Sequence, residues 1–163
     1  MEKIMKREIR KANRAIGENE ILEMLESAEY GVLSTISTDN TAYGTPLNFV
    51  HKDGAIYFHC AKEGHKIDNI SSNSSGCFTI VDSVNLLPSA FSTEYRSAVI
   101  FGEVKIVEDS EEKRAGLIAL VEKLSPDFIE KGIEYVDRAI DRALVLRMDI
   151  ERMTGKAKKP MPK

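Results

Sequence analysis

Residues 31–60 read GVLSTISTDNTAYGTPLNFVHKDGAIYFHC, and this part of the chain indicates the class of fold. Alternation of polar with apolar and branched side chains over 31–37 predicts a strand, and residues 38–40 supply a turn after it. Residues 42–50 and 55–60 then predict a second and a third strand, joined by a three-residue loop, 52–54, that ends in glycine. Pro46 cannot donate a ladder hydrogen bond, so its strand is expected at a sheet edge or facing something other than a strand.

The rest of the chain continues this pattern of strands with helices between them. Apolar spacing predicts helices at 18–28, 64–73, around 117–124 and at 133–140, and strands at 77–81, 95–107 and 144–150. The fold class is therefore expected to be mainly β (α+β), a six-stranded antiparallel barrel with flanking helices. The chain contains neither G-x-G-x-x-G nor G-x-x-x-x-G-K, so a phosphate would have to be held by another route.

Composition indicates one globular domain. Of the 163 residues 42% are hydrophobic and 30% are charged, with a net charge of −3. The basic segment 1–17 lacks the apolar core of a signal peptide, so a cytoplasmic location is expected, with Cys60 and Cys77 as thiols. We place the folded domain at 18–156 and a basic tail at 157–163. The basic ends contain neither interspersed aromatic residues nor a known nucleic-acid-binding motif. We therefore expect them to be solvated tails and predict no nucleic-acid partner.

His65 and Lys66 form the first candidate site. They begin the predicted helix at 64–73, where unpaired backbone amides and the helix dipole favour an anion, and Lys66 adds a positive charge. The alternative left open by these residues alone is an ordinary exposed lysine beside a helix-entry histidine.

Other chemistry finds little support in the sequence. His51 and His59 would lie about 13 Å apart along their hairpin, too far to share a metal ion with Cys60, and we predict no metal site. There is no G-x-S-x-G elbow and no pair of carboxylates suited to hydrolysis. If the protein is an enzyme, its chemistry is expected to come from a cofactor.

The order of several short segments resembles the FMN-binding split-barrel superfamily of pyridoxamine 5'-phosphate oxidase, and most of all its nitroimidazole-resistance branch. The segments are GVLST (31–35), GTPLNF (44–49), IYFHCA (56–61), GHKIDNI (64–70), YRSAVIFG (95–102) and MTGK (153–156). The similarity runs over roughly residues 18–156. It implies a split barrel that forms a homodimer, with FMN at the subunit interface.

The resemblance also implies roles for individual residues. The second strand would lie along the isoalloxazine ring through Thr45, Pro46, Leu47, Asn48, Phe49 and Val50. His59 and Cys60 would approach the ribityl-phosphate end, and Lys66 matches the phosphate-binding lysine of the family. Ser97 matches a flavin-contacting position supplied by the partner subunit, and Lys156 would add a second charge near the phosphate. His65 matches the histidine proposed to assist reduction in the nitroimidazole-resistance branch.

Departures from the oxidase pattern narrow the expected function. His65 stands where the oxidases carry arginine, Ser97 stands where they carry glutamine, and the chain has no tryptophan. Vitamin B6 oxidation is therefore not expected. The resemblance predicts an FMN-dependent oxidoreductase that reduces a small electron-poor substrate. The alternatives are a non-enzymatic flavin-binding redox protein and a split barrel that binds haem or a deazaflavin.

Overall fold

The computed structural model describes residues 8–159, which form one antiparallel sheet with helices against it. Eight strands make up the sheet in this part of the chain. They are β1 (Ala15–Ile16), β2 (Tyr30–Ile36), β3 (Ala42–Asn48), β4 (Val50–Lys52), β5 (Ala55–Cys60), β6 (Ser75–Leu87), β7 (Ser92–Ile106) and β8 (Leu144–Lys158). Their order is β3-β2-β6-β7-β8-β5-β4, with β1 paired to β8. The sheet is a half-barrel, as expected, and Pro46 lies on its edge strand β3.

The prediction of six strands is wrong, because one predicted strand is broken and one short strand was missed. The predicted second strand, 42–50, divides at Phe49, whose side chain is fully buried and packs edge-on against Phe78. On one side of this break β3 pairs with β2, and on the other side β4 pairs with β5. The added strand β1 has only two residues, too few to show a period in the sequence.

The hairpin between β4 and β5 also differs from the prediction by one residue. Lys52 pairs with Ala55, so the turn consists of Asp53 and Gly54 alone. Both have positive φ angles, 51° and 76°, which is the geometry of a tight two-residue hairpin turn. On its other side β5 pairs with β8, where His59 is opposite Val145.

Four α-helices flank the sheet within residues 8–159. They are α1 (Glu18–Ser27), α2 (His65–Ser72), α3 (Ser110–Leu124) and α4 (Ile129–Ala139). Single turns of 3-10 helix occur at Ala12–Arg14, Pro88–Ala90, Pro126–Phe128 and Ile140–Arg142. The α3 helix starts at a regular cap, where the Asp109 carboxylate accepts a hydrogen bond of 2.8 Å from the Glu112 amide.

Two apolar clusters hold these elements together. The larger lies inside the half-barrel and includes Met24 and Leu25 of α1 and Ile67 and Ile70 of α2, so both helices close the barrel interior. The smaller lies outside the barrel, where Ala119 and Leu120 of α3 cover β4, β5 and β8. The same strand β5 therefore serves both clusters through alternate residues.

Parts of the predicted termini, residues 1–7 and 160–163, lie outside the described residues. The described remainder does not form solvated tails throughout, because Ala15 and Ile16 pair with β8 as strand β1, and β8 itself extends to Lys158. None of the helices between residues 8 and 159 combines the length and the apolar character needed to cross a bilayer.

Candidate functional site

The entrance to α2 is the centre of the candidate site. Gly64 precedes the helix with a φ angle of 134°, which favours glycine, and it provides no capping side chain. The first intrahelical bonds run from the amides of Ile67 and Asp68 to the Gly64 carbonyl, at 2.8 and 3.2 Å. The amides of the first two helical residues thus have no partner within the helix. They point away from it together with the positive end of the helix dipole.

His65 is fixed in place by two contacts from the neighbouring strands. Its Nε2 lies 2.9 Å from the Ser37 hydroxyl oxygen, within hydrogen-bonding distance. Its ring lies against the ring of Tyr43, with centroids 4.2 Å apart and a tilt of 34°. The imidazole remains exposed to solvent, so it is oriented but open to a ligand. Ser37 and Tyr43 were not among the predicted site residues.

Lys66 lies next to the end of β5. It is half-buried, and its ammonium group acts on the Cys60 thiol. Burial raises the pKa of Cys60, and the positive charge of Lys66 offsets part of that rise. Cys60 is therefore a protonated, weakly nucleophilic thiol at neutral pH. The influence of the Lys66 charge on Cys60 indicates that the α2 entrance lies near the end of β5.

A buried hydrogen-bond chain positions α2 against the sheet. The Asn69 amide, which is 2% exposed, donates to the Thr35 hydroxyl over 3.0 Å. Thr35 in turn donates to the carbonyl of Tyr43 at 3.4 Å. Because Tyr43 also contacts His65, the chain couples the position of α2 to that of the edge strand.

The edge strand β3 carries most of the predicted isoalloxazine contacts. Pro46 and Asn48 are exposed, whereas Thr45 and Leu47 point inward and are half-buried. Asn48 donates to the carbonyl of Glu29 at 2.9 Å. The Thr45 hydroxyl oxygen is buried with no hydrogen-bond partner, the one such side-chain atom among the described residues.

Phe49 and Val50 differ from the other predicted members of this strand, because their side chains are buried in the two apolar clusters. They can offer a ligand only backbone groups. His59 is exposed at the end of β5, on the side that faces α3 and α4.

Ser97 and Lys156 are brought together at a different place. They are cross-strand partners on β7 and β8, and the Ser97 hydroxyl donates to the Lys156 carbonyl at 3.4 Å. The level of this pair along the sheet differs from that of Ser37. Across the neighbouring strands, Ser34 of β2 pairs with Cys77 of β6, which pairs with Phe101 of β7. Ser37 lies three residues beyond Ser34 in one direction along the strands, and Ser97 lies four residues from Phe101 in the opposite direction. At the usual strand rise this is a separation of about 23 Å within one chain.

The residues at the α2 entrance fit the phosphate of a flavin nucleotide. Free amides, the helix dipole and Lys66 suit a dianion, and an open edge strand with an unpartnered Thr45 hydroxyl lies alongside. Among residues 8–159 no group of three or more histidine, cysteine or acidic side chains is arranged to hold a metal ion.

An antiparallel half-barrel sheet with flanking helices is the architecture of the split-barrel class of proteins. The chain is a member of the pyridoxamine 5'-phosphate oxidase family, whose sequence model matches residues 17–157. The resemblance noted in the sequence is thereby confirmed. No curated protein shows significant sequence similarity to the chain.

Solved structures with the same fold are numerous. A Bacteroides thetaiotaomicron protein, provisionally described as a 5-nitroimidazole antibiotic resistance protein, is 27% identical with a TM-score of 0.75, over 87% of this chain and 85% of that one. A conserved hypothetical protein from Mycobacterium tuberculosis is 19% identical with a TM-score of 0.80, over 96% and 97%. A flavocytochrome from Azotobacter vinelandii is 17% identical with a TM-score of 0.79, over 99% and 77%.

Proposed function

We propose that this protein is an FMN-dependent oxidoreductase that reduces a small electron-poor substrate of the nitroimidazole type and works as a cytoplasmic homodimer. The observation that carries the proposal is the uncapped entrance of α2, with His65 and Lys66 at its first two positions beside β3. Family membership and the flavocytochrome among the structural neighbours support a flavin as the cofactor. The description of the Bacteroides protein supports a substrate of the nitroimidazole type.

In this proposal each residue at the α2 entrance has a separate task. Lys66 and the free amides bind the phosphate, while the edge strand β3 offers its backbone and the Thr45 hydroxyl to the ring system. FMN would supply the reducing electrons. His65 would give up a proton to the reduced substrate, since its Nε2 is held by Ser37 and its ring remains open to solvent.

The distance between the two sets of predicted residues supports the homodimer. Ser97 and Lys156 lie about 23 Å along the sheet from the level of Ser37, at the α2 end. A second chain, related by a twofold axis, can place its own Ser97 and Lys156 beside the α2 entrance of the first. The outward face of the sheet offers an apolar surface for such a contact, since Tyr30 is 64% exposed and Val81 is 55% exposed.

The first test is the identity of the cofactor. An absorbance spectrum of the purified protein, with mass spectrometry of the released ligand, should show FMN. Release of FAD would identify FAD as the cofactor instead of FMN, and a Soret band would identify haem. Protein that takes up neither flavin nor haem would refute the proposal.

The second test concerns the phosphate site. Lys66→Ala should weaken FMN binding by about 1–3 kcal/mol, the usual cost of deleting a charge-assisted hydrogen bond, and should leave riboflavin binding unchanged. Lys62→Ala is the matched control, because Lys62 is exposed in the same connection and precedes the helix. Equal FMN affinities of the Lys66 and Lys62 variants would show that the phosphate binds elsewhere.

The third test separates catalysis from binding. His65→Ala should abolish nitroaromatic reduction by the chemically reduced protein while the bound flavin spectrum is retained. If turnover survives in this variant, the proton comes from another group. If wild-type protein holds FMN but shows no turnover with nitroaromatics, the chain is a non-enzymatic flavin protein.

A further inference from the structure

The hairpin formed by the far ends of β6 and β7 extends beyond both apolar clusters. Residues 82–94, here called the β6–β7 arm, include no member of either cluster, and the nearest members on these strands are Ile80 and Ala98. The arm is a two-stranded ribbon in which Leu87 pairs with Ser92. Because such a ribbon is only marginally stable by itself, we expect the arm to lie against another surface.

The base of the arm is fixed to the body of the protein. The Arg96 guanidinium donates two hydrogen bonds to the Asp82 carboxylate, at 2.9 and 2.7 Å, and also lies 3.7 Å from the Glu23 carboxylate of α1. The register shifts between Asp82 and Asn85, and a bulge of this kind bends a strand. The direction of the arm is therefore set by contacts at its base.

The surface of the arm is apolar and uncharged. Residues 83–93 contain no charged side chain, although 30% of the whole chain is charged. Val84, Leu86 and Phe91 are 59%, 69% and 97% exposed. Charged residues are depleted and aromatic residues enriched at the centre of protein–protein interfaces, and contiguous exposed apolar surface marks such sites. The composition indicates that another protein surface covers the arm.

Phe91, at the tip of the arm, has an unfavourable backbone conformation. Its φ angle is 46°, in the left-handed region that bulky residues rarely adopt. Its amide donates to the carbonyl of Pro88 at 3.2 Å, which closes the turn and leaves the ring in solvent. Backbone strain at an exposed aromatic residue is expected where the ring makes its contacts in a complex.

Register along the sheet places the arm opposite one region of a second copy of the chain. Leu86 pairs with Thr93, four residues before Ser97 on β7, and alternation puts these side chains on one face of the sheet. Towards the other end of the sheet, Cys60 lies four residues beyond the level of Ser37, counted across the paired strands. A twofold axis that brings Ser97 of one chain to the level of Ser37 in the other therefore brings Leu86 to the level of Cys60.

An open cavity of about 380 Å³ lies at this level, between the end of β5 and the helices α3 and α4. Cys60 lines the cavity together with aliphatic side chains, among them Leu117, Val136 and Ile140. The tip of the arm lies two residues past Thr93, or about 7 Å further at the usual strand rise. That distance carries the tip beyond the end of β5 and over the cavity, which is larger than a benzyl group.

We propose that the β6–β7 arm of each subunit reaches across the dimer and inserts Phe91 into this cavity of the other subunit. The inference rests on the proposed homodimer and flavin site. His59 and Cys60 line the same cavity, and the family resemblance assigns them to the ribityl-phosphate end of the flavin. The inserted arm therefore closes that end of the flavin site in the neighbouring subunit, so that each site is completed by the other chain.

Chemical crosslinking tests the contact directly. Two singly substituted chains, Phe91→Cys and Ala139→Cys, are co-expressed in a background of Cys60→Ser and Cys77→Ser, which removes the two native thiols. A short bismaleimide should join the two chains into a covalent dimer, because Ala139 lines the cavity, and neither variant should crosslink by itself. Phe128→Cys in place of Phe91→Cys is the matched control, since Phe128 is 60% exposed but lies outside the arm.

Sedimentation velocity gives a second measurement that needs no new thiol. Phe91→Ser should weaken dimerisation by roughly 10- to 100-fold, the usual effect of removing an aromatic residue central to an interface, and Phe128→Ser should leave it unchanged. The far-UV circular dichroism of both variants should match the wild type, because each ring is exposed within one chain.

The outcomes separate the arm contact from the proposed function. A flavin-loaded dimer without the crosslink, or equal effects of the Phe91 and Phe128 variants, would overturn the arm contact alone, whereas a monomeric protein would overturn the arm contact and the homodimer. Crosslinking in protein that takes up no flavin would support the arm contact and refute the flavin site. Binding to phosphatidylglycerol vesicles that is lost in Phe91→Ser would overturn the proposal, because the tip would then belong to a membrane surface.

Discussion

Replacing Asn69 by alanine tests whether the buried hydrogen-bond chain truly holds α2 on the sheet. The substitution removes the 3.0 Å bond from Asn69 to Thr35 at a side chain that is only 2% exposed. A net hydrogen bond is worth about 1 kcal/mol, and the cavity left by a deleted buried group adds about 1–2 kcal/mol. We therefore expect Asn69→Ala to lower the free energy of unfolding by about 2–3 kcal/mol.

Urea denaturation followed by circular dichroism measures this loss, and a thermal melt should show a decrease of roughly 5–10 °C for a chain of this size. Asn85→Ala is the matched control, because Asn85 also donates one side-chain bond, to Glu94 over 2.9 Å, but does so on the surface. Its free energy of unfolding should change by no more than about 0.5 kcal/mol.

A double-mutant cycle with Thr35→Val isolates the pair itself and should give a coupling of about 1 kcal/mol. The reasoning would be refuted if Asn69→Ala were as harmless as Asn85→Ala, or if the coupling were zero. FMN affinity should fall together with stability in Asn69→Ala, because the same chain positions the start of α2.

Three further predictions concern the sheet. Gly102→Ala should lower the free energy of unfolding, measured by urea denaturation, by about 1–3 kcal/mol, because the new β-carbon would lie 2.0 Å from the carbonyl oxygen of Asp149. Gly17→Ala should be tolerated, because no atom lies within 4 Å of the β-carbon there. In an alkaline absorbance titration one tyrosine should ionise late, because burial and the hydrogen bond to Glu112 raise the pKa of Tyr57 to about 12. The stability that this raised pKa contributes is full below pH 10 and is lost as the pH rises towards 12. Tyr57→Phe should remove the late ionisation step. The pKa values of Glu112 and Asp149 are lowered in the folded protein, that of Glu112 chiefly by Arg147 and that of Asp149 by Lys105 and Arg147. The stability these carboxylates contribute is therefore present above the ordinary carboxyl pKa range and is lost as the pH falls below it. Arg147→Gln should make the free energy of unfolding less dependent on acid pH.

The parts of the fold that the sequence predicts well are those with a clear period. β5 was predicted with its observed bounds, and α1, β2 and the start of β8 were predicted within one or two residues, because each has an apolar side that faces a cluster. The far ends of β6 and β8 were missed, since beyond Val81 and Ile150 these strands alternate less clearly and extend past the core.

Local errors came from choices that depend on tertiary packing. A glycine after Lys52 and Asp53 is compatible with a two- or a three-residue loop, and only the pairing of Lys52 with Ala55 decides between them. Phe49 continues the alternation of its strand, so the sequence does not show that its ring packs against Phe78 and divides the strand. These are cases in which the same local pattern suits two structures.

The residues of the candidate site could be predicted where they lie in one continuous segment of the chain. They could not be predicted where distant segments meet. Lys66 and His65 follow from a glycine at a helix start, which is visible in the sequence. The contacts of His65 with Ser37 and Tyr43 join positions far apart in the chain, and no spacing rule reports them.

The end of β5 shows how strand alternation divides adjacent residues between two apolar clusters. Phe58 packs in the barrel interior, whereas Tyr57 packs in the cluster that α3 covers. Because successive side chains of a strand point to opposite faces, a substitution at Phe58 should loosen the interior that α1 and α2 close, and a substitution at Tyr57 should loosen the contact with α3. Cys60 lies two residues beyond Phe58, and there it meets the charge of Lys66 at the α2 entrance.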